Sequence, residues 1–63
     1  MHRRTTPPVG VAGAAEWLGT TVGHIYKLVE RKELTYTRVG GKLRFLEEDL
    51  EGYLMANRVE RAS

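Results

Sequence analysis

A change of hydrophobic period after Leu34 is the sequence feature that most constrains the fold of this chain. Between residues 9 and 31 the apolar residues recur at intervals of three and four, which is typical of helices that pack along one face. Residues 35–45 form two short β-prone runs around Gly40-Gly41, which indicate a hairpin. Helical spacing returns from Leu46. The sequence therefore predicts a mainly α domain with a two-stranded hairpin before its last helix.

Gly19 divides the helical part into two predicted helices. The first carries its apolar residues on one stripe, formed by Val11, Ala14, Ala15 and Leu18. We expect Trp17 and Leu18 to anchor this helix, because glycines at positions 10 and 13 make it intrinsically weak. Thr20 and Thr21 offer hydroxyl groups that can cap the next helix.

The second helix is predicted over about residues 22–31, with one apolar and one polar side. The apolar side consists of Val22, Ile25, Tyr26, Leu28 and Val29. On the polar side, Gly23, Lys27 and Arg31 are spaced four residues apart and form a short exposed ridge with His24 beside it. Trp17 and Tyr26 are both expected in the core, although the Tyr26 hydroxyl could reach a phosphate.

Two registers are possible for the hairpin. A two-residue loop pairs Val39 with Lys42 and places Arg38 on the face of the apolar residues of the second strand. A three-residue loop pairs Val39 with Leu43 and keeps Arg38 and Arg44 together on the other face. We favour the three-residue loop because it separates apolar from charged side chains and exposes Lys42 at the tip.

The third helix is predicted to begin near Leu46, with Leu50, Tyr53 and Leu54 at helical spacing. Its first turn, residues 47–49, is acidic, which suits the positive end of a helix dipole. We therefore divide the chain into a flexible basic arm (residues 1–8), one domain (residues 9–57) and a frayed tail (residues 58–63).

The composition excludes several classes of function. The chain has no cysteine and two histidines, so we expect no disulfide, no thiolate zinc site and no structural metal. Only Ser63 could supply a serine nucleophile, and 63 residues cannot enclose a deep cofactor pocket, so we expect neither an enzyme nor a cofactor. No apolar run approaches the length of a membrane span, and a cytoplasmic protein is expected.

The charges are unevenly distributed along the chain. Residues 1–45 contain eight lysines and arginines against three acidic residues, whereas residues 46–63 contain two against five. The net charge of +2 therefore combines a basic body with an acidic C-terminal segment. On charge alone, two ordinary solvated faces explain this distribution as well as a surface for a polyanionic partner does.

Two helices joined through Gly19, then a glycine hairpin and a closing helix, predict a winged helix-turn-helix that binds double-stranded DNA. The second helix would read the major groove, and cations on the wing would contact phosphates. The candidates on the second helix are Thr20, Thr21, Gly23, His24, Lys27 and Arg31. The candidates on the wing are Arg38, Gly40, Gly41, Lys42 and Arg44. Arm or phosphate contacts are assigned to Arg3, Arg4, Tyr26 and Lys32.

The segments AAEWLGTT, IYKLVERKEL, RVGGKLRF and EEDLEGYL resemble the excisionase-like, MerR-like winged-helix DNA-binding domains over about residues 9–54. The resemblance implies that Leu50 and Leu54 pack the last helix. It also implies the site residues at the major groove, Thr21, Gly23, His24 and Lys27, and those on the wing, Gly40, Gly41, Lys42 and Arg44. The chain departs from the family pattern at three positions: His24 replaces Ser or Thr, Lys32 replaces Gly, and Leu46 replaces Pro. Lys32 then either tolerates a strained backbone or ends the helix differently.

Within that family, length favours one role. Only about nine residues follow Leu54, so we expect neither a long dimerisation helix nor a sensor domain. The resemblance then implies an excisionase, a recombination directionality factor of a phage or mobile element in a prokaryotic cell. Its expected partners are attachment-site DNA, a tyrosine or serine integrase, and further copies of itself bound cooperatively head to tail. The alternatives are a small transcriptional regulator and, from another class, a protein-interaction adaptor.

Overall fold

The computed structural model describes residues 7–59 of the chain. Its elements are α1 (Val11–Leu18), α2 (Val22–Glu30), β1 (Thr37–Val39), β2 (Lys42–Arg44) and α3 (Glu47–Ala56). The order predicted from the sequence is confirmed, and the fold is a winged helix-turn-helix in which β1 and β2 form an antiparallel hairpin. The arm arginines Arg3 and Arg4 and residues 60–63 of the tail lie outside the described residues.

The core is formed by one small cluster of apolar side chains between the three helices. Its buried members are Ala14, Ala15, Ile25, Leu28, Leu34, Phe45 and Leu50. The small side chains of Ala14 and Ala15 let α1 approach α2 closely, and Ile25 and Leu28 fill the space from the α2 side. This contact fixes the orientation of α2 and leaves its polar ridge outside.

Three side chains expected in the core are instead substantially exposed. Trp17 is 39% exposed, because it lies one position off the stripe that buries Ala14 and Ala15. Tyr26 is 55% exposed, because α2 buries only a narrow arc centred on Ile25 and Leu28. Leu54 is 44% exposed and does not pack as the family resemblance implied. Leu50 and Tyr53 provide the contacts of α3 instead.

An isolated β-bridge connects the start of the domain to Phe45, the residue that follows β2. The Val9 N–H donates to the Phe45 carbonyl at 3.0 Å, and the Phe45 N–H donates to the Val9 carbonyl at 2.8 Å. Phe45 itself is fully buried. The bridge therefore anchors the segment before α1 and the end of the hairpin to the same buried residue, Phe45.

The hairpin has the two-residue loop, so the preferred three-residue register is wrong. Val39 pairs with Lys42, and Arg38 pairs with Leu43. Arg38 consequently shares a face with Leu43, while Arg44 lies on the other face, together with Lys42. Lys42 lies beside the turn at the start of β2 rather than within the loop.

Two physical effects explain this register. Gly40 has φ 58° and Gly41 has φ 83°, and two successive residues with positive φ are the requirement of the tight turn whose twist matches a two-residue hairpin. All three residues of β1 are exposed, so a register that sorts apolar from charged residues removes no extra surface from water. Turn geometry therefore decides the pairing.

Lys32, which stands where the family pattern has glycine, adopts the strained backbone conformation, the first of the two alternatives. It has φ 61°, the left-handed region, and ends α2 by donating from its N–H to the Val29 carbonyl at 3.0 Å. The Glu33 N–H donates to the Leu28 carbonyl at 2.9 Å, which completes the second bond of a Schellman motif. α1 ends in the same motif with Gly19 at φ 72°, where no side chain is strained.

Replacing Lys32 with glycine is expected to raise the free energy of unfolding by about 0.5–1 kcal/mol. Relief of the left-handed strain is worth about 1–2 kcal/mol, and the greater flexibility of glycine in the unfolded chain offsets part of it. Urea or thermal unfolding measures the difference. Lys32→Ala is the control, because it removes the same charge and keeps the strain; equal stabilisation by alanine would contradict the explanation.

Candidate nucleic-acid interface

The polar ridge of α2 is fully presented to solvent. Gly23, His24, Lys27 and Arg31 are all exposed, whereas Ile25 and Leu28 on the opposite side are buried. Nothing lies within 4 Å of the position that a Cβ atom would occupy at Gly23, so another molecule can approach the α2 backbone there. The ridge therefore has the small and cationic side chains that a helix in the major groove requires.

The N-terminus of α2 is held by two threonines. The His24 N–H donates to Oγ1 of the N-cap residue Thr21 at 3.2 Å, which satisfies one of the free amides of the first turn. The Thr20 Oγ1 and the His24 Nδ1 are 2.7 Å apart, within hydrogen-bond distance. The second contact was not anticipated, although the four-residue spacing from Thr20 to His24 is the signal that could have indicated it.

The cationic side chains of the wing (residues 37–44) differ in their exposure and in their hydrogen bonds. Arg38 and Lys42 are exposed. Arg44 is half-buried, and its Nη1 donates to the Leu43 carbonyl at 2.9 Å. The same Nη1 lies 3.1 Å from where a Cβ atom would stand at Gly10, so the guanidinium lies over the start of α1 rather than at the wing tip.

A shallow depression of about 400 Å³ joins α2 to the wing. Its lining residues are Val11, Tyr26, Gly41, Lys42, Leu43 and Arg44. The exposed ring of Tyr26 thus faces two cations and two aliphatic side chains. A depression of this composition can accept a sugar through its apolar surface and the adjoining phosphate through Lys42 and Arg44. Val11 and Leu43 were not among the candidate site residues.

Most of the predicted residues within residues 7–59 fall into two groups, one on the α2 ridge and one in this depression. The α2 candidates lie on one exposed ridge, and Lys42 and Arg44 of the wing meet Tyr26 in the depression. Arg38 lies on the opposite face of the hairpin from these two cations. Lys32 is exposed just beyond the end of α2. Arg3 and Arg4 fall outside residues 7–59, so their predicted phosphate contacts stay predictions.

A second depression of about 260 Å³ lies between α3 and the segment that precedes β1. We call it the acidic groove, because its lining includes the carboxylates of Glu33, Glu48 and Asp49 beside Tyr53. It shares no lining residue with the depression at the wing. The uneven charge seen along the sequence therefore corresponds to two separate surfaces.

The described part of the chain offers no cluster of three or more histidine, cysteine or acidic side chains that could hold a metal ion. Within residues 7–59, every helix is too short and too polar to cross a membrane.

Comparison with known proteins assigns the family. A family model described as a helix-turn-helix domain matches residues 9–58, which is more than half of the chain. The chain belongs to this helix-turn-helix family. The match makes this a DNA-binding domain and agrees with the exposed ridge on α2. No curated protein and no solved structure matches the sequence of this helix-turn-helix domain significantly.

Proposed function

We propose that this helix-turn-helix domain is an accessory factor of site-specific recombination, an excisionase that binds and bends attachment-site DNA and catalyses no reaction itself. The observation that carries the proposal is the exposed polar ridge on α2 together with the depression at the wing, whose lining includes Tyr26 of the same helix. In the proposed complex, α2 enters the major groove, and Lys42 and Arg44 contact flanking phosphates. The resemblance of the wing segment RVGGKLRF to excisionase-like domains supports the specific role.

The separation of the two charged surfaces supports cooperative binding. In the proposed assembly, the face of the basic wing that carries Arg38, opposite Lys42 and Arg44, meets the acidic groove of the next copy along the DNA. Such a head-to-tail contact does not close on itself, so it extends along repeated sites. One domain of this size buries only about 600–1,000 Å² on DNA, so occupancy of a site would gain from several neighbouring copies.

The proposal is tested in two steps. The full chain is first used to select binding sites from a library of random duplex DNA, and its affinity is measured at several salt concentrations. A DNA reader is expected to select a defined sequence and to lose affinity steeply with salt, because each phosphate contact releases counterions. Weak, unselective and salt-independent binding would instead favour an adaptor that binds proteins.

The second step separates recombination from transcription control. Footprinting and an excision assay are carried out with an integrase encoded near the gene and its attachment site. We expect protection across adjacent repeats and stimulation of excision by the domain. Protection confined to a promoter, with excision unchanged, would identify a transcriptional regulator and contradict the recombination role.

A further inference from the structure

The contact between Thr20 and His24 at the start of α2 indicates a role for Thr20 that requires no contact between Thr20 itself and a base. We propose that Thr20 is a positioning residue whose hydroxyl fixes the His24 imidazole, so that Nε2–H donates to a guanine in the major groove. The inference rests on the proposed DNA-reading role of α2. It adds which atom contacts the base, Nε2 of His24, and which base that atom selects, guanine.

Thr20 is itself held in place by the end of α1. Its N–H donates to the Ala15 carbonyl at 2.8 Å, as part of the motif that ends α1 at Gly19. Ala15 is buried in the core. The position of the Thr20 hydroxyl is therefore set by the packed helix before the turn, and not by α2 alone.

His24 is fixed at both its backbone and its ring. Its N–H donates to the Thr21 carbonyl at 3.1 Å and to Thr21 Oγ1 at 3.2 Å. The 2.7 Å contact with Thr20 engages Nδ1, and no described residue forms a hydrogen bond with Nε2. Because the side chain is exposed, Nε2 on the far side of the ring is open to another molecule.

The direction of the hydrogen bond between Thr20 and Nδ1 decides which nitrogen of the neutral ring carries the proton. When the Thr20 O–H donates to Nδ1, the neutral imidazole carries its proton on Nε2 and becomes a donor on its exposed side. Guanine presents the acceptors N7 and O6 side by side in the major groove, so it suits this donor. A ring that is already held does not have to be ordered when DNA binds, which favours discrimination at this base.

The test compares base preferences of the full chain and its variants by selection from random duplex DNA. The wild type is expected to select guanine at one position, and Thr20→Val is expected to lower that preference about fivefold while the other positions keep theirs. Val has the shape of Thr without the hydroxyl, and Thr20→Ser should restore the preference. His24→Ala should lose the same preference at the same position. Tyr36→Phe, the control, removes a hydroxyl from an exposed residue that lines neither depression and should alter nothing.

The outcomes distinguish this inference from the proposed function. If the wild type selects no sequence, the DNA-reading role fails and the inference fails with it. If the wild type selects a site and Thr20→Val selects the same site with unchanged preference, only the positioning role is overturned. A wild-type preference for an A·T pair at the position that His24→Ala affects would overturn the assigned guanine contact. Thermal unfolding of each variant verifies that the compared proteins are folded.

Discussion

Replacing Phe45 with alanine is expected to lower the free energy of unfolding of the domain by about 3–5 kcal/mol. Phe45 is fully buried and is among the largest side chains of a core that has only seven buried members in the described chain. Truncation of a buried phenylalanine costs about 3–5 kcal/mol. A chain of 63 residues has a total stability of about 3–9 kcal/mol. The substitution therefore removes at least about a third of that stability, which circular dichroism and urea unfolding would measure.

Met55→Ala is the matched control for this prediction. Met55 is 57% exposed on α3, and alanine is an excellent helix former, so the free energy of unfolding should change by less than about 0.5 kcal/mol. A Phe45→Ala protein that still unfolds cooperatively, with a loss below about 1 kcal/mol, would be incompatible with the core described here.

The second large effect is expected on DNA binding when Lys27 is replaced by alanine. Lys27 is the exposed cation in the middle of the α2 ridge, where a side chain can donate to guanine O6 and N7. Affinity for the selected site should fall about 10-fold to 100-fold, and affinity for unrelated DNA should fall much less. Equilibrium binding to both duplexes measures the difference. An equal loss of affinity for both duplexes would indicate that Lys27 contacts a phosphate and not a base.

Lys42→Ala provides the contrasting result. Lys42 belongs to the depression at the wing, where a phosphate contact is proposed. Its removal should weaken binding to all sequences and reduce the slope of log K against log salt by about 0.9. Glu51→Gln is the charge control, because it changes the net charge by one on exposed α3 and should leave affinity within about twofold.

The order of the elements could be predicted because it depends on periodicity and glycine positions. The stripe containing Ala14 and Ala15 is buried as the spacing requires, and Gly19 and Gly40-Gly41 are at the predicted turns. These features are local, so a few neighbouring residues determine them. The strained backbone at Lys32 was one of two alternatives that its position beyond α2 already suggested.

The degree of exposure could not be predicted, because it depends on how far each helix extends past its neighbours. Trp17 and Leu54 are apolar, but both lie beside the narrow contact rather than within it. The hairpin register was wrong for a related reason. Sorting by polarity decides a register only where one face of the strand is buried, and the exposed β1 has no buried face.

The sequence indicates which residues belong to the candidate site, but not how these residues are arranged in space. The exposed ridge follows from the spacing of Gly23 and Lys27 on α2. The approach of Tyr26 to the wing and the folding back of Arg44 over Gly10 depend on contacts between segments distant in the chain. Neither leaves a periodic signal in the sequence.

The bridge between Val9 and Phe45 limits how this domain can be dissected. It ties Val9, two residues before α1, to Phe45, two residues before α3, and both ends of the bridge contribute to the core. A graft of α1 and α2 alone into another scaffold would lose that tie and expose the underside of the reading helix. The smallest transplantable unit therefore runs from Val9 to the end of α3 at Ala56, and fusions are best joined ahead of Pro7, outside the bridge.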